Sequence, residues 1–215
     1  MIQCDDLWYA YRDQIPVIQG FTAKWSSDVI NVVQGVMGSG KTTLSRLISG
    51  ALKPRSGTIR FGVDDPKLWT SANQSLALVP QVGCSVPHEV YEVIQQVLWS
   101  DGIYRNKDER IASVLYQVGL SGYERRTVNT LSGFELARFH LALALVKSPQ
   151  YLIFDESPFL GDPSWRASFE GLLSQLLSRG CTIVWLAAQK PSWSLPSQVF
   201  RLHHGGCHAG ISRAL

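Results

Sequence analysis

The spacing of hydrophobic positions changes several times along the chain, and each change marks an element. Over residues 2–25 short apolar runs predict strands, with turns at Arg12-Asp13-Gln14 and Ser26-Ser27-Asp28. Residues 29–33, Val-Ile-Asn-Val-Val, are rich in β-branched side chains and predict a further strand. Leu44, Leu47, Ile48 and Ala51 then recur at helical spacing, which predicts a helix that begins near Lys41, covers 44–52 and is ended by Lys53-Pro54-Arg55-Ser56-Gly57. Two more strands are predicted over 58–61 and 75–79, with 64–73 as a connecting loop.

Beyond Pro87 the period becomes helical: Val90, Val93, Ile94, Val97 and Leu98, then Ile111, Val114, Leu115 and Val118 after the polar run 106–110. A helix from Leu131-Ser132-Gly133 to about Val146 follows, with Ser132 or Gly133 as its N-cap. Residues 151–154 read as a buried strand ending in Asp155-Glu156, 165–178 as a helix, 182–187 as a strand, and the tail after 197 as short strands. Strands alternating with helices predict an α/β chain. Its expected form is a single domain over 1–215, with an antiparallel β portion at the N-terminal side and a helical subdomain inserted at about 86–130.

Composition narrows the class. With 215 residues and 45% hydrophobic content the chain can bury a core of its own. A formal charge of +3 without a long Lys/Arg run gives no electrostatic case for nucleic acid. Cys4, Cys84, Cys181 and Cys207 form no C-x-x-C pair, so free thiols are expected, and no apolar stretch approaches the ~20 residues that span a bilayer. The first residues lack the basic and apolar regions of a signal peptide. His203, His204, Cys207 and His208 match no structural zinc spacing, and no protein-ligated metal is expected there.

Candidate chemistry centres on residues 35–43, Gly-Val-Met-Gly-Ser-Gly-Lys-Thr-Thr, between a strand and a helix. Gly35, Gly38 and Gly40 let the backbone turn tightly and aim its N–H groups inward, with Ser39 and Thr43 within the same cradle, while the helix start adds positive potential. Such a nest suits nucleotide phosphates. Lys41 would reach the β- and γ-phosphates, and the Thr42 hydroxyl would ligate the Mg²⁺ that bridges them. The acid pair Asp155-Glu156 stands at the end of a buried strand, where ligands of parallel sheets sit. Asp155 would hold Mg²⁺ through water, and Glu156 would polarise the attacking water. An acidic pair capping a surface turn is the plainer alternative, which the order of the two motifs disfavours.

Together these motifs resemble the nucleotide-binding subunits of the ATP-binding cassette family over nearly the whole chain. Residues 131–138, Leu-Ser-Gly-Phe-Glu-Leu-Ala-Arg, resemble that family's signature loop, L-S-G-G-Q-x-x-R, with Phe134 in place of the second glycine and Glu135 in place of the glutamine. The resemblance implies that Ser132 and Gly133 face the γ-phosphate bound on the opposite subunit. It implies that Gln81 is the glutamine that contacts Mg²⁺ or the attacking water, and that Tyr11 stacks on adenine, with Trp8 and Tyr9 as alternatives. Asp162 matches the family's D-loop aspartate, although Gly161 replaces the usual leucine. The switch histidine is missing: Ala188 stands at its position, or Gln189 if the register shifts by one.

What the resemblance implies is an ATPase subunit, peripheral on the cytoplasmic face of a membrane, that binds ATP and Mg²⁺. Its partners would be a transmembrane permease and a second cassette subunit, homodimeric or heterodimeric. Two cassettes would close head to tail over two ATP molecules, and hydrolysis at this site would be slow without the histidine. The segment 82–87, Val-Gly-Cys-Ser-Val-Pro, is apolar for a loop and is the expected docking surface for the permease. Two alternatives stay open, a soluble cassette ATPase acting on nucleic acid or ribosomes and a catalytically weak regulatory subunit. Salt-sensitive nucleic-acid binding would mark the first.

Overall fold

The computed structural model of the chain describes residues 1–12, 15–62, 75–81, 84–156, 163–203 and 206–208. Its strands are β1 (Ile2–Tyr9), β2 (Ile18–Trp25), β3 (Ile30–Gln34), β4 (Ser56–Phe61), β5 (Leu76–Val79), β6 (Tyr151–Asp155), β7 (Thr182–Ala187), β8 (Ser197–His203) and β9 (Gly206–His208). Its α-helices are α1 (Lys41–Ile48), α2 (Val90–Ser100), α3 (Lys107–Gln117), α4 (Gly133–Leu145) and α5 (Pro163–Ser178). The fold is α/β. A three-stranded antiparallel sheet of order β2-β1-β4 accompanies a six-stranded sheet of order β5-β6-β7-β3-β8-β9, in which all pairs but β8/β9 are parallel.

The parallel sheet is buried on both faces, which is why β6 and β7 read as continuous apolar runs. Alternate side chains part to two cores. Val32, Leu152, Phe154, Ile183 and Trp185 pack towards the side carrying α2 to α5. Val33, Tyr151, Ile153, Val184 and Leu186 pack towards α1 and the antiparallel sheet. Within the first core Phe154 stacks on Trp185, ring centroids 4.5 Å apart.

The end of the first helix differs most from the sequence expectation, while the strands expected at 29–33 and 58–61 and the helix expected at 165–178 shift by one or two residues. Helix α1 stops at Ile48 rather than running to Leu52, because Ser49 caps it and Gly50 turns left-handed at φ 78°. Ala51, fourth in the apolar series, is therefore off the helix and exposed. The expected helical stretch at 86–130 contains α2 and α3, closed by a 3₁₀ turn at Val128–Thr130. The 64–73 segment lies outside the described residues, as do Val82, Gly83, Gly161 and Asp162. Cys4 and Cys181 are buried free thiols and Cys84 an exposed one.

Candidate active site

Strand order builds the site. Strands β3 and β6 lie on either side of β7, with Gln34 beside Ala187 and Asp155 beside Leu186. The backbone continues the ladder past the strand ends, Gly35 N–H donating to Ala187 O at 3.0 Å and Glu156 N–H to Leu186 O at 2.8 Å. Val79 pairs with Phe154, so Gln81 and Glu156, each two residues further on, emerge side by side. Four strand ends and the start of α1 thus meet at one cleft of about 360 Å³, lined by Val17, Met37, Gly40, Lys41, Thr42 and Glu156 among others.

The glycines are dictated by space. A Cβ on Gly35 would stand 2.4 Å from Ser39 Oγ and 2.8 Å from Leu202 O, and Gly40 adopts φ 101° where α1 begins. Gly38 lines the cleft beside them. Ser39 is buried, and its hydroxyl has no hydrogen-bond partner among the described residues.

Lys41 is 5% exposed and uses all three ammonium protons, donating to Gly35 O at 2.5 Å and Val36 O at 2.8 Å and pairing with Glu156 Oε1 at 2.8 Å. Gln81 Nε2 donates to the other Glu156 oxygen at 3.0 Å. Glu156 itself has φ 48°, a left-handed conformation uncommon for a residue with a side chain and costing of order 1–3 kcal/mol. Such strain is retained where the surroundings over-determine it, here by the cation and the amide that hold both carboxylate oxygens.

Asp155 shares its face of β6 with Tyr151 and Ile153, so its carboxylate points towards α1. It is 4% exposed; the Thr42 hydroxyl lies 3.4 Å from Oδ1 and the Ser45 hydroxyl 3.0 Å from Oδ2. Burial pushes its pKa up, the two hydroxyls pull it back, and the neighbouring Glu156 charge adds to the rise. The sequence motifs do not single out Ser45, because one serine in an amphipathic helix looks like part of a wet face; only the packing of α1 on β6 buries it. Hard oxygen donors from a hydroxyl and a carboxylate, 3.4 Å apart, fit a magnesium ion.

The remaining candidates stand apart. Tyr11 does not line the cleft; its hydroxyl is 3.3 Å from Thr43 Oγ1 and its ring meets Tyr9 edge-on, leaving it 37% exposed. Ser132 and Gly133 are exposed at the start of α4, outside the cleft. Ser132 Oγ accepts the Glu135 N–H at 3.4 Å, and Glu135 Oε2 accepts the Ser132 N–H at 2.7 Å, a complete capping box. Tyr123 also donates to Glu135 at 2.7 Å, and together these bonds hold that carboxyl down at about 2. Phe134 is 44% exposed on the same turn. Ala188 lines the cleft; Gln189 lines only the neighbouring depression, with Lys190, Pro191 and Ser192.

Comparison with known proteins agrees with this architecture. A sequence profile described as ABC transporter matches residues 18–158. An Archaeoglobus fulgidus protein named for the same family is 34% identical over 181 residues, 80% of this chain and 59% of that protein. The energy-coupling factor transporter ATP-binding protein EcfA of Methanothermobacter thermautotrophicus is 28% identical, over 86% of this chain and 61% of its own length. The chain thus spans about three-fifths of these relatives. Among solved structures, an ATP-binding subunit of an ABC transporter superposes with a TM-score of 0.84 at 19% identity, covering 98% of this chain and 90% of its own. A dimeric bacterial ABC transporter cassette gives 0.79 at 20% identity, covering 99% and 97%. At such identities the superpositions speak for the fold, whereas the profile match, over more than half of the chain, speaks for descent. The chain belongs to the ABC transporter family.

Proposed function

We propose that this chain is the ATP-binding and ATP-hydrolysing subunit of a membrane ABC transporter. The observation that carries this reading is the convergence of Lys41, Gln81 and Glu156, from three separate elements, on one cleft at the carboxyl ends of the parallel strands. Lys41 and the cradle N–H groups bind the β- and γ-phosphates. Thr42 and Asp155, with Gln81 at the edge, hold Mg²⁺, which when bound spreads the phosphate charge. Glu156, released from Lys41 by the arriving phosphate, accepts a proton from the attacking water, while Tyr11 offers a ring face to the base.

Ser132 and Gly133 serve the site of a second cassette, and closure of the pair followed by hydrolysis drives the permease through the loop that includes Cys84. Cys84, Ser85 and Pro87 are exposed. Among the described residues no helix is long and apolar enough to cross a membrane. With Ala188 facing the cleft, hydrolysis by this subunit alone is slow, and a more complete partner would supply turnover in a heterodimer. The test pairs nucleotide binding with ATPase assays on the purified chain and its Lys41→Ala variant. Binding lost in the variant supports the reading, whereas equal binding by both overturns it, and salt-sensitive binding to nucleic acid would move the protein to the soluble class.

A further inference from the structure

We infer that Ser45 is a positioning residue for the metal-holding carboxylate, fixing the Asp155 oxygen that Thr42 does not reach. The inference rests on the proposed reading of Thr42 and Asp155 as residues that hold Mg²⁺. Thr42 and Ser45 are three residues apart on α1 and so share one face, and that face meets the end of β6. Their hydroxyls grip the two oxygens of one carboxylate: Thr42 Oγ1 lies 3.4 Å from Oδ1, Ser45 Oγ 3.0 Å from Oδ2.

The two bonds are not equivalent. A hydroxyl that ligates a cation through a lone pair keeps its proton for the carboxylate, so Thr42 serves Oδ1 alone and Oδ2 is left to Ser45. Ser45 is fully buried, and its bond to Asp155 is the shorter of the two. Its proton has one competing acceptor, the Thr42 carbonyl at 2.9 Å. A charged acceptor in a dry setting outcompetes a carbonyl that already lies within a helix. Water has little access, since Asp155 is 4% exposed. Without Ser45 the carboxylate would lose the donor that fixes its plane, and Oδ2 would be left buried and unpaired. Partners behind a metal ligand commonly contribute 10- to 100-fold to metal affinity.

The experiment follows binding of a fluorescent ATP analogue by the full chain across a Mg²⁺ titration. In Ser45→Ala the Mg²⁺ concentration giving half of the metal-dependent gain should rise about 10- to 100-fold, while nucleotide affinity in chelator stays within about twofold of wild type. Ser45→Thr restores the hydroxyl and should recover the wild-type Mg²⁺ requirement. Ser45→Val, matching threonine in shape but lacking the donor, should behave as alanine does; this pair separates the hydrogen bond from any packing defect. An unchanged Mg²⁺ requirement in Ser45→Ala, or threonine and valine variants alike, would overturn the inference. If wild type bound nucleotide equally with and without Mg²⁺, the metal role of Asp155 would fall first and this inference with it.

Discussion

Lys41 Nζ lies 2.8 Å from Glu156 Oε1, so the cation that would bind phosphate and the carboxylate that would activate water neutralise each other across one cleft. An arriving phosphate competes with that carboxylate for Lys41. Glu156→Gln keeps the shape and removes the competing charge together with the base. Nucleotide binding should be at least as tight as in wild type, while hydrolysis falls by about 10²- to 10⁴-fold. Equilibrium binding and steady-state phosphate release, measured on the same preparation, check both halves. Hydrolysis at the wild-type rate would remove Glu156 from the base's role.

Ala188 lines the phosphate cleft and Gln189 does not, which makes two neighbouring substitutions unequal. Ala188→His places a donor beside the position of the γ-phosphate and should raise turnover, by as much as about 10²- to 10³-fold if that contact is what the site lacks. Gln189→His should leave turnover unchanged. The comparison is made at saturating ATP and equal protein concentration. Rapid wild-type turnover with no gain in either variant would show the site to be complete as it stands.

Glu135 stabilises the start of α4 in its charged form. Its carboxyl sits at about 2 in the folded chain, against an ordinary 4.5, chiefly because Tyr123 and the Ser132 N–H bond to it. A depressed folded pKa means stability that is fully present above 4.5 and is lost as pH falls towards 2. Glu135→Gln should therefore lower the melting temperature by a constant amount from neutral pH down to about 5, and the gap should close on further acidification. A gap independent of pH throughout would assign the effect to shape rather than charge.

Much of this site could be read from residue order, and the exceptions have physical reasons. Gly35 to Thr43 are the residue types that a phosphate cradle needs in sequence, and Asp155-Glu156 follow an apolar run of the kind a doubly buried strand carries. Pairings that depend on tertiary packing are silent in one dimension. Ser45 is buried by β6, more than a hundred residues away along the chain. That Ala188 lines the cleft and Gln189 does not is set by how β7 sits beside β3, which the apolar run 182–187 does not encode. Helix α1 ends early because Gly50 takes a left-handed turn, while the apolar spacing of Ala51 continues the pattern beyond it.

The aromatic stack behind the acid pair should matter to stability and to the site together. Phe154 is fully buried, stacked on Trp185 at 4.5 Å and edge-on to Phe169 at 6.0 Å. It precedes Asp155 and lies on the opposite face of β6, so its packing fixes the strand end that carries the carboxylates. Phe154→Ala should cost about 3–5 kcal/mol through lost transfer energy and the cavity left behind. Phe154→Leu should cost less, because it leaves a smaller void. Chemical denaturation gives both values. Because a loosened strand end blurs the positions of Asp155 and Glu156, hydrolysis by the alanine variant should fall even at temperatures where it remains folded, since a misplacement of about 1 Å can cost 10²-fold in rate. A folded Phe154→Ala variant with wild-type hydrolysis would show that pairing with Val79 on one side and Leu186 on the other holds the strand end without help from the core.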